Sequence, residues 1–247
     1  MYPQTHIYFA ERVLGKQGDI ISLGSILPDM LVGSRVGGHY QAHCIGLEFY
    51  RFLFEEDSLL PDFDRAVSTH GFDPKGLDYY GDEQYLDFER GFCFEKARAI
   101  TERTVDICNI PTEMGWWKAH NVIEMGVETI ISAQDDYCAR LASALSNQDL
   151  INNVDETLRR MYGSKGIDFI NRTERFSGFI EKERATAESL ADKFYKQMWM
   201  RHNVRIDLKR MVLLINDAAD LVSDELREFF DVTAEMVRDN LQTMGKE

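Results

Sequence analysis

The chain has 247 residues, 44% of them hydrophobic, and its 42 acidic against 28 basic side chains give a formal net charge of -14. That length supports one large core or two smaller ones. So acidic a surface repels a nucleic-acid backbone, and no basic patch offsets it, so nucleic acid is not an expected partner. The four cysteines, Cys44, Cys93, Cys108 and Cys138, form no CxxC pair and read as small core residues in a reducing compartment. The amino terminus has no basic segment followed by an apolar run, and no stretch approaches the roughly 20 apolar residues of a membrane span. A cytoplasmic protein without a transmembrane segment is expected.

In chain order, Ile7, Ala10, Val13 and Leu14 recur at helical spacing after Thr5, a residue suited to an N-cap, and Gly15 marks the end. Asp19 to Leu27 is rich in small residues and is expected to stop at Pro28-Asp29, leaving Asp29 at a turn. Gly33 to Gly38 reads as a loop leading into His39-Tyr40-Gln41-Ala42-His43. His39 and His43 stand four apart, so a helix continuing to Phe54 would place them on one face with Leu47 and Tyr50. Asp57 to Asp64 reads as an acidic linker around Pro61. From His70 to Asp82 runs the longest stretch without clear periodicity, and such segments inside compact domains are often functional.

A helix is expected from about Asp87 to Cys108, then a break at Asn109 to Thr112, then a central helix from about Met114 to Leu145. Beyond Ser146, Val154 to Met161, Thr173 to Met200, Ile206 to Val222 and Asp224 to Leu241 read as charged amphipathic helices. The Glu181 to Arg184 run reads as a solvated face, and Asp217 and Asp220, beside the apolar run Met211 to Ile215, read either as a buried pair or, the commoner case for such acids, as a helix-surface feature. No strand pattern or repeat occurs. The expected fold is all-α, with a helical core over residues 1–145 and a helical extension over 146–247 that packs on it.

In the central helix, Trp116, His120, Ile123, Glu124, Val127 and Ile131 share one face. An imidazole and a carboxylate inside an apolar stripe must find partners, because burying them alone costs several kcal/mol. A divalent metal satisfies both, since the two groups stand one turn apart. A buried His–Glu hydrogen bond between helices satisfies them as well. Five of the six histidines, His6, His39, His43, His70 and His120, lie in the first half, as a multi-metal site built from several helices requires. His202 lies in a basic helix end apart from them.

Thr5-His6, Pro28-Asp29, His39-Tyr40 and the HxxxE of His120 and Glu124 together resemble zinc-dependent phospholipase C and the related single-strand-specific zinc nucleases. The resemblance covers roughly residues 1–133 and implies a phospholipase C-like helix bundle with extra C-terminal helices. It also implies hydrolysis of a phosphate ester, small or lipid-like, at two or three zinc ions, with manganese or iron as substitutes. His6, Asp29 and His39 would hold one end of the cluster and His120 with Glu124 another. A metal-activated hydroxide would attack phosphorus, with Asp29 and Glu124 orienting ligands and tuning it. The family's middle-helix HxxxD has no match, since His70 and Asp73 stand at HxxD beside a proline. His43 and Asp78 are the candidate substitutes, His43 first. The alternative is a non-catalytic helical scaffold keeping the fold and at most a structural metal.

Overall fold

Two glycines set the first corner: Gly15, at φ 65°, ends helix α1 (Pro3–Leu14), and Gly18, at φ 128°, precedes α2 (Asp19–Leu31). A residue with a Cβ is strained in either conformation. The computed structural model describes residues 1–55, 60, 62–163, 167–180 and 183–244. Among them the chain continues as α3 (His39–Ala42), α4 (Gly46–Glu55), α5 (Phe63–Ser68), α6 (Phe92–Ala97) and α7 (Thr101–Cys108). Then come α8 (Gly115–Ser132), α9 (Tyr137–Ser146), α10 (Gln148–Tyr162), α11 (Phe169–Phe179), α12 (Ala187–His202) and α13 (Leu208–Met244). No strand occurs among the described residues, so the fold is all-α. None of their helices is long and apolar enough to cross a membrane.

Several helices differ from the sequence expectation, each for a local reason. The N-cap of α1 is Tyr2, with Pro3 opening the first turn, so Thr5 lies inside the helix. Helix α2 runs through Pro28, and Asp29 sits in its last turn and not at a bend. Proline removes one backbone hydrogen bond there. The fully buried Leu27 and Leu31 flank it, and packing of that face keeps the segment helical. The helix expected to run from His39 to Phe54 is split, because the carbonyl of His43 accepts the N–H of Phe72 at 2.7 Å. The central helix ends at Ser132, and Asp136 caps a new one by accepting the Ala139 N–H at 3.1 Å.

The expected helix from Asp87 to Cys108 is two helices, α6 and α7, joined by a 3₁₀ turn at Arg98–Ile100. The expected Thr173–Met200 helix likewise comprises α11 and α12, the second opened by a reciprocal cap between Thr186 and Ser189. Conversely, the last two expected helices are one, the 37-residue α13, about 55 Å long at 1.5 Å per residue. Its buried stripe continues through Val222, Leu226 and Phe229 without a breaker. Asp217 and Asp220 are exposed, Asp217 paired with Arg103 at 2.5 Å, and Glu183 and Arg184 are exposed too. Residues 57–59 and 61 of the acidic linker, and 181–182 of the charged run, lie outside the described residues. All four cysteines are free, with Cys93 and Cys108 buried.

Helix α8 lies against α13 through Gly126, where a Cβ would stand 2.6 Å from the backbone nitrogen of Ala219 and 2.9 Å from the carbonyl carbon of Ala218. Backbone cannot swing aside as a side chain can. Gly126→Ala is therefore expected to cost about 1–3 kcal/mol of stability, read from urea unfolding. The later helices also close the ends of the first two. Arg238 of α13 donates to the carbonyls of Arg12 and Val13, and Arg172 of α11 to those of Met30, Val32 and Gly33. These carbonyls end α1 and α2, which an arginine both caps and favours electrostatically.

Candidate metal centre

On α8, His120 has one ring nitrogen, Nδ1, 2.9 Å from the Trp117 carbonyl, and its ring is stacked on Phe94 at 4.2 Å. That contact assigns the proton to Nδ1 and turns Nε2 toward Oε1 of Glu124 at 3.5 Å and Oδ1 of Asp82 at 3.4 Å. Asp82 comes from a π-helical turn, Tyr79–Glu83, directly after Asp78. Such wide turns are uncommon and cluster at functional sites. A second chain segment holds this one: the Gly91 N–H donates to the Asp82 carbonyl at 3.2 Å. A Cβ on Gly91 would fall 2.2 Å from the Asp82 nitrogen, so only glycine allows the approach.

Asp78 faces two ways. Its Oδ1 lies 2.8 Å from the amino nitrogen of Met1 and 3.3 Å from Nε2 of His6. Its Oδ2 lies 3.2 Å from Nε2 of His43 and 3.2 Å from Nε2 of His70. Asp29 closes that end, its Oδ1 3.5 Å from His43 and 4.0 Å from His70. The Met1 amino group also sits 2.9 Å from Oε1 of Glu124. The donors therefore run in a row, from Asp29, His43 and His70, through Asp78, then Met1 and His6, then Glu124, to His120 and Asp82. As on His120, each of two other Nδ1 atoms contacts a carbonyl: His43 that of His39 at 2.8 Å, and His70 that of Ser25 at 2.6 Å. His6 is stacked on His70 at 3.6 Å. Its helix is fixed by Glu128, which accepts the N–H groups of Gln4 and Thr5 and the Thr5 hydroxyl at 3.0, 2.8 and 2.6 Å.

Bonds of 2.0–2.1 Å from one ion at tetrahedral angles put neighbouring donors about 3.3 Å apart. Most of the separations above, from 3.2 to 3.5 Å, match that edge length. Meanwhile Nε2 of His6 and of His70 is buried without a hydrogen bond, while Nε2 of His43 and Oδ1 of Asp82 are met only by ion-pair partners, Asp29 and Asp78 for the first and His120 for the second. An orphaned buried polar atom costs about 1–3 kcal/mol, so two of them within this crowd of acids and imidazoles point to a missing partner. Three groups could each hold an ion: His6, His70 and Asp78; Asp29, His43 and His70; Asp82, His120 and Glu124.

The electrostatics follow from crowding acids and imidazoles out of water. Burial opposes charge on His43, but Asp29 and Asp78 outweigh it and push the imidazole up to about 10. Burial likewise opposes charge on His120, but Glu124 and Asp82 push it up to about 10. Burial would raise Glu124, yet the Met1 amino group and His120 hold it down at about 2. His6 is lowered by burial and by His70. Without metal, His43 and His120 carry protons at neutral pH. An ion entering either end displaces them, so loading strengthens as pH rises.

Six of the expected ligands, His6, Asp29, His43, His70, His120 and Glu124, thus converge in space. His39 does not: its side chain is exposed, stacked on His43 at 3.9 Å, and only its carbonyl supports the cluster. Asp73 is exposed in a loop with a cis bond to Pro74, whereas the buried Asp78 stands among His6, His43 and His70. Asp82 went unnoticed in the sequence, where its one signal was the irregular stretch it ends. His202 lies at the end of α12, beside Lys118 at 3.4 Å. Compared with known proteins, the chain matches no family model, no curated protein and no solved structure.

Proposed function

We propose that this protein is a metal-dependent hydrolase of phosphate esters, of the zinc-dependent phospholipase C type. The observation that carries the reading is the row of buried donors at ion-sharing distances around Asp78 and Glu124, with Nε2 of His6 and His70 left without a hydrogen bond. Divalent ions held there would supply an activated water and neutralise the phosphate oxygens. The chain's own part is to hold them. Carbonyls fix the tautomers of His43, His70 and His120, Asp78 joins neighbouring positions, and Asp29 and Glu124 stand at opposite ends of the row. Asp29 is 28% exposed, the most open of these carboxylates, and marks the side from which a substrate would enter. Exposed Tyr40 beside Phe72, and exposed Trp117 beside Phe94, supply apolar surface near each end for an organic or lipid-like group.

The test is metal content per chain by mass spectrometry, followed by turnover of bis-p-nitrophenyl phosphate with zinc or manganese supplied. Two or more ions, with turnover that His120→Ala abolishes while far-UV circular dichroism is kept, is the expected result. A folded protein that takes up no metal on titration overturns the hydrolase and leaves the helical scaffold. Bound metal without turnover of this or of choline-phospholipid substrates leaves a structural metal in that scaffold.

A further inference from the structure

The two ends of the donor row differ in chemistry. At one end, two imidazole nitrogens (His43, His70) and a carboxylate oxygen of Asp29 can share one ion, and Oδ2 of Asp78 stands 3.2 Å from both nitrogens. His43 and His70 are fully buried there, so two of the three side chains that converge are imidazoles shielded from water. At the other end one imidazole, His120, meets two carboxylates, Asp82 and Glu124. Three side chains converge there among the described residues, and Asp82 is 14% exposed, so several coordination positions are left to water or substrate oxygens.

Ligand type and geometry select metals. Imidazole-rich tetrahedral sites suit zinc, whereas carboxylate and water suit manganese and magnesium, which favour six oxygen-rich positions. We propose that the centre is mixed: zinc at Asp29, His43 and His70, beside Asp78, and a harder six-coordinate ion, manganese in the first instance, at Asp82, His120 and Glu124. The proposal rests on the metal-dependent reading above and refines it. Asp82 is the selecting residue, since a histidine there would make that end imidazole-rich as well.

The test loads chelator-stripped protein with one equivalent of zinc and an excess of manganese, then desalts it. Both metals are counted by mass spectrometry, and bound manganese is observed by electron paramagnetic resonance. The expected result is a double dissociation. Asp82→Asn lowers manganese retention at least about tenfold and leaves zinc, while Asp29→Asn lowers zinc and leaves manganese. Asp82→His exchanges manganese for further zinc. Circular dichroism identifies any variant that fails to fold, and the remaining two carry the comparison. Zinc that displaces manganese from the wild-type protein one for one overturns the mixed centre while leaving the hydrolase reading intact. So does a loss of both metals in equal measure from both asparagine variants. Uptake of neither metal overturns both.

Discussion

Asp78→Asn is expected to strip metal from the middle of the row and from its His43 end, and to lower phosphodiester turnover by at least about 10²–10³-fold, the scale on which one charge-stabilising group acts. The reason is that both carboxylate oxygens are engaged, Oδ1 toward His6 and Met1, Oδ2 toward His43 and His70. An asparagine offers one oxygen, uncharged, and aims an N–H₂ group at whichever side it abandons. Stability should fall as well. Burial by itself would raise the Asp78 carboxyl, but the Met1 amino group and the His6 and His70 imidazoles outweigh it and hold it well below the usual carboxylate range. Removing the charge leaves buried positive groups unpaired, a loss of about 3–5 kcal/mol in the metal-free protein. The control is Asp73→Asn, at the carboxylate the HxxD spacing points to, which should change neither metal content nor turnover because Asp73 is exposed. Full metal content in folded Asp78→Asn protein would overturn the shared role of this carboxylate.

The contrast between Asp73 and Asp78 shows what the sequence could carry. Ligands that sit on regular helices were legible, because helical spacing places His120 beside Glu124 whatever the rest of the fold does. His6 was legible for the same reason, lying inside an amphipathic first helix. The pair His39 and His43 shows the limit. Spacing of four does stack the two rings, at 3.9 Å, but only His43 is buried among the other ligands while His39 stays exposed at the start of the short α3. Asp78 and Asp82 were harder still, since the segment carrying them has no period of its own. Its shape comes from Gly91 and from the strip of backbone bonds to residues 69 and 70, contacts between distant parts of the chain. Boundaries failed where a distant partner decided them: Asp136 capping a new helix, or α13 running on because its buried stripe never breaks.

Gly71→Ala should be among the most damaging single added methyl groups at the described glycines. A Cβ on Gly71 would stand 2.0 Å from the carbonyl oxygen of His43, 2.8 Å from its carbonyl carbon and 3.0 Å from its Cα. All three atoms are backbone, so relief requires moving one chain segment away from the other. The Phe72 N–H bond to His43 at 2.7 Å would break, and with it the contact that ends α3 and aims the His43 ring. The displaced segment also carries His70, whose carbonyl accepts the Asp78 N–H at 2.8 Å, so three ligands shift together. A stability loss of about 3 kcal/mol is expected, at the upper end for overpacking. Metal analysis separates this from simple destabilisation. Below the unfolding transition, Gly71→Ala should lose the ion held by Asp29, His43 and His70 yet keep the one at Asp82, His120 and Glu124. The Gly126→Ala protein, strained only between α8 and α13, should keep both in its folded fraction. Equal metal content in the two variants would mean that the backbone pairing at His43 does not position the site. The Asp29 end would then depend on its side chains alone.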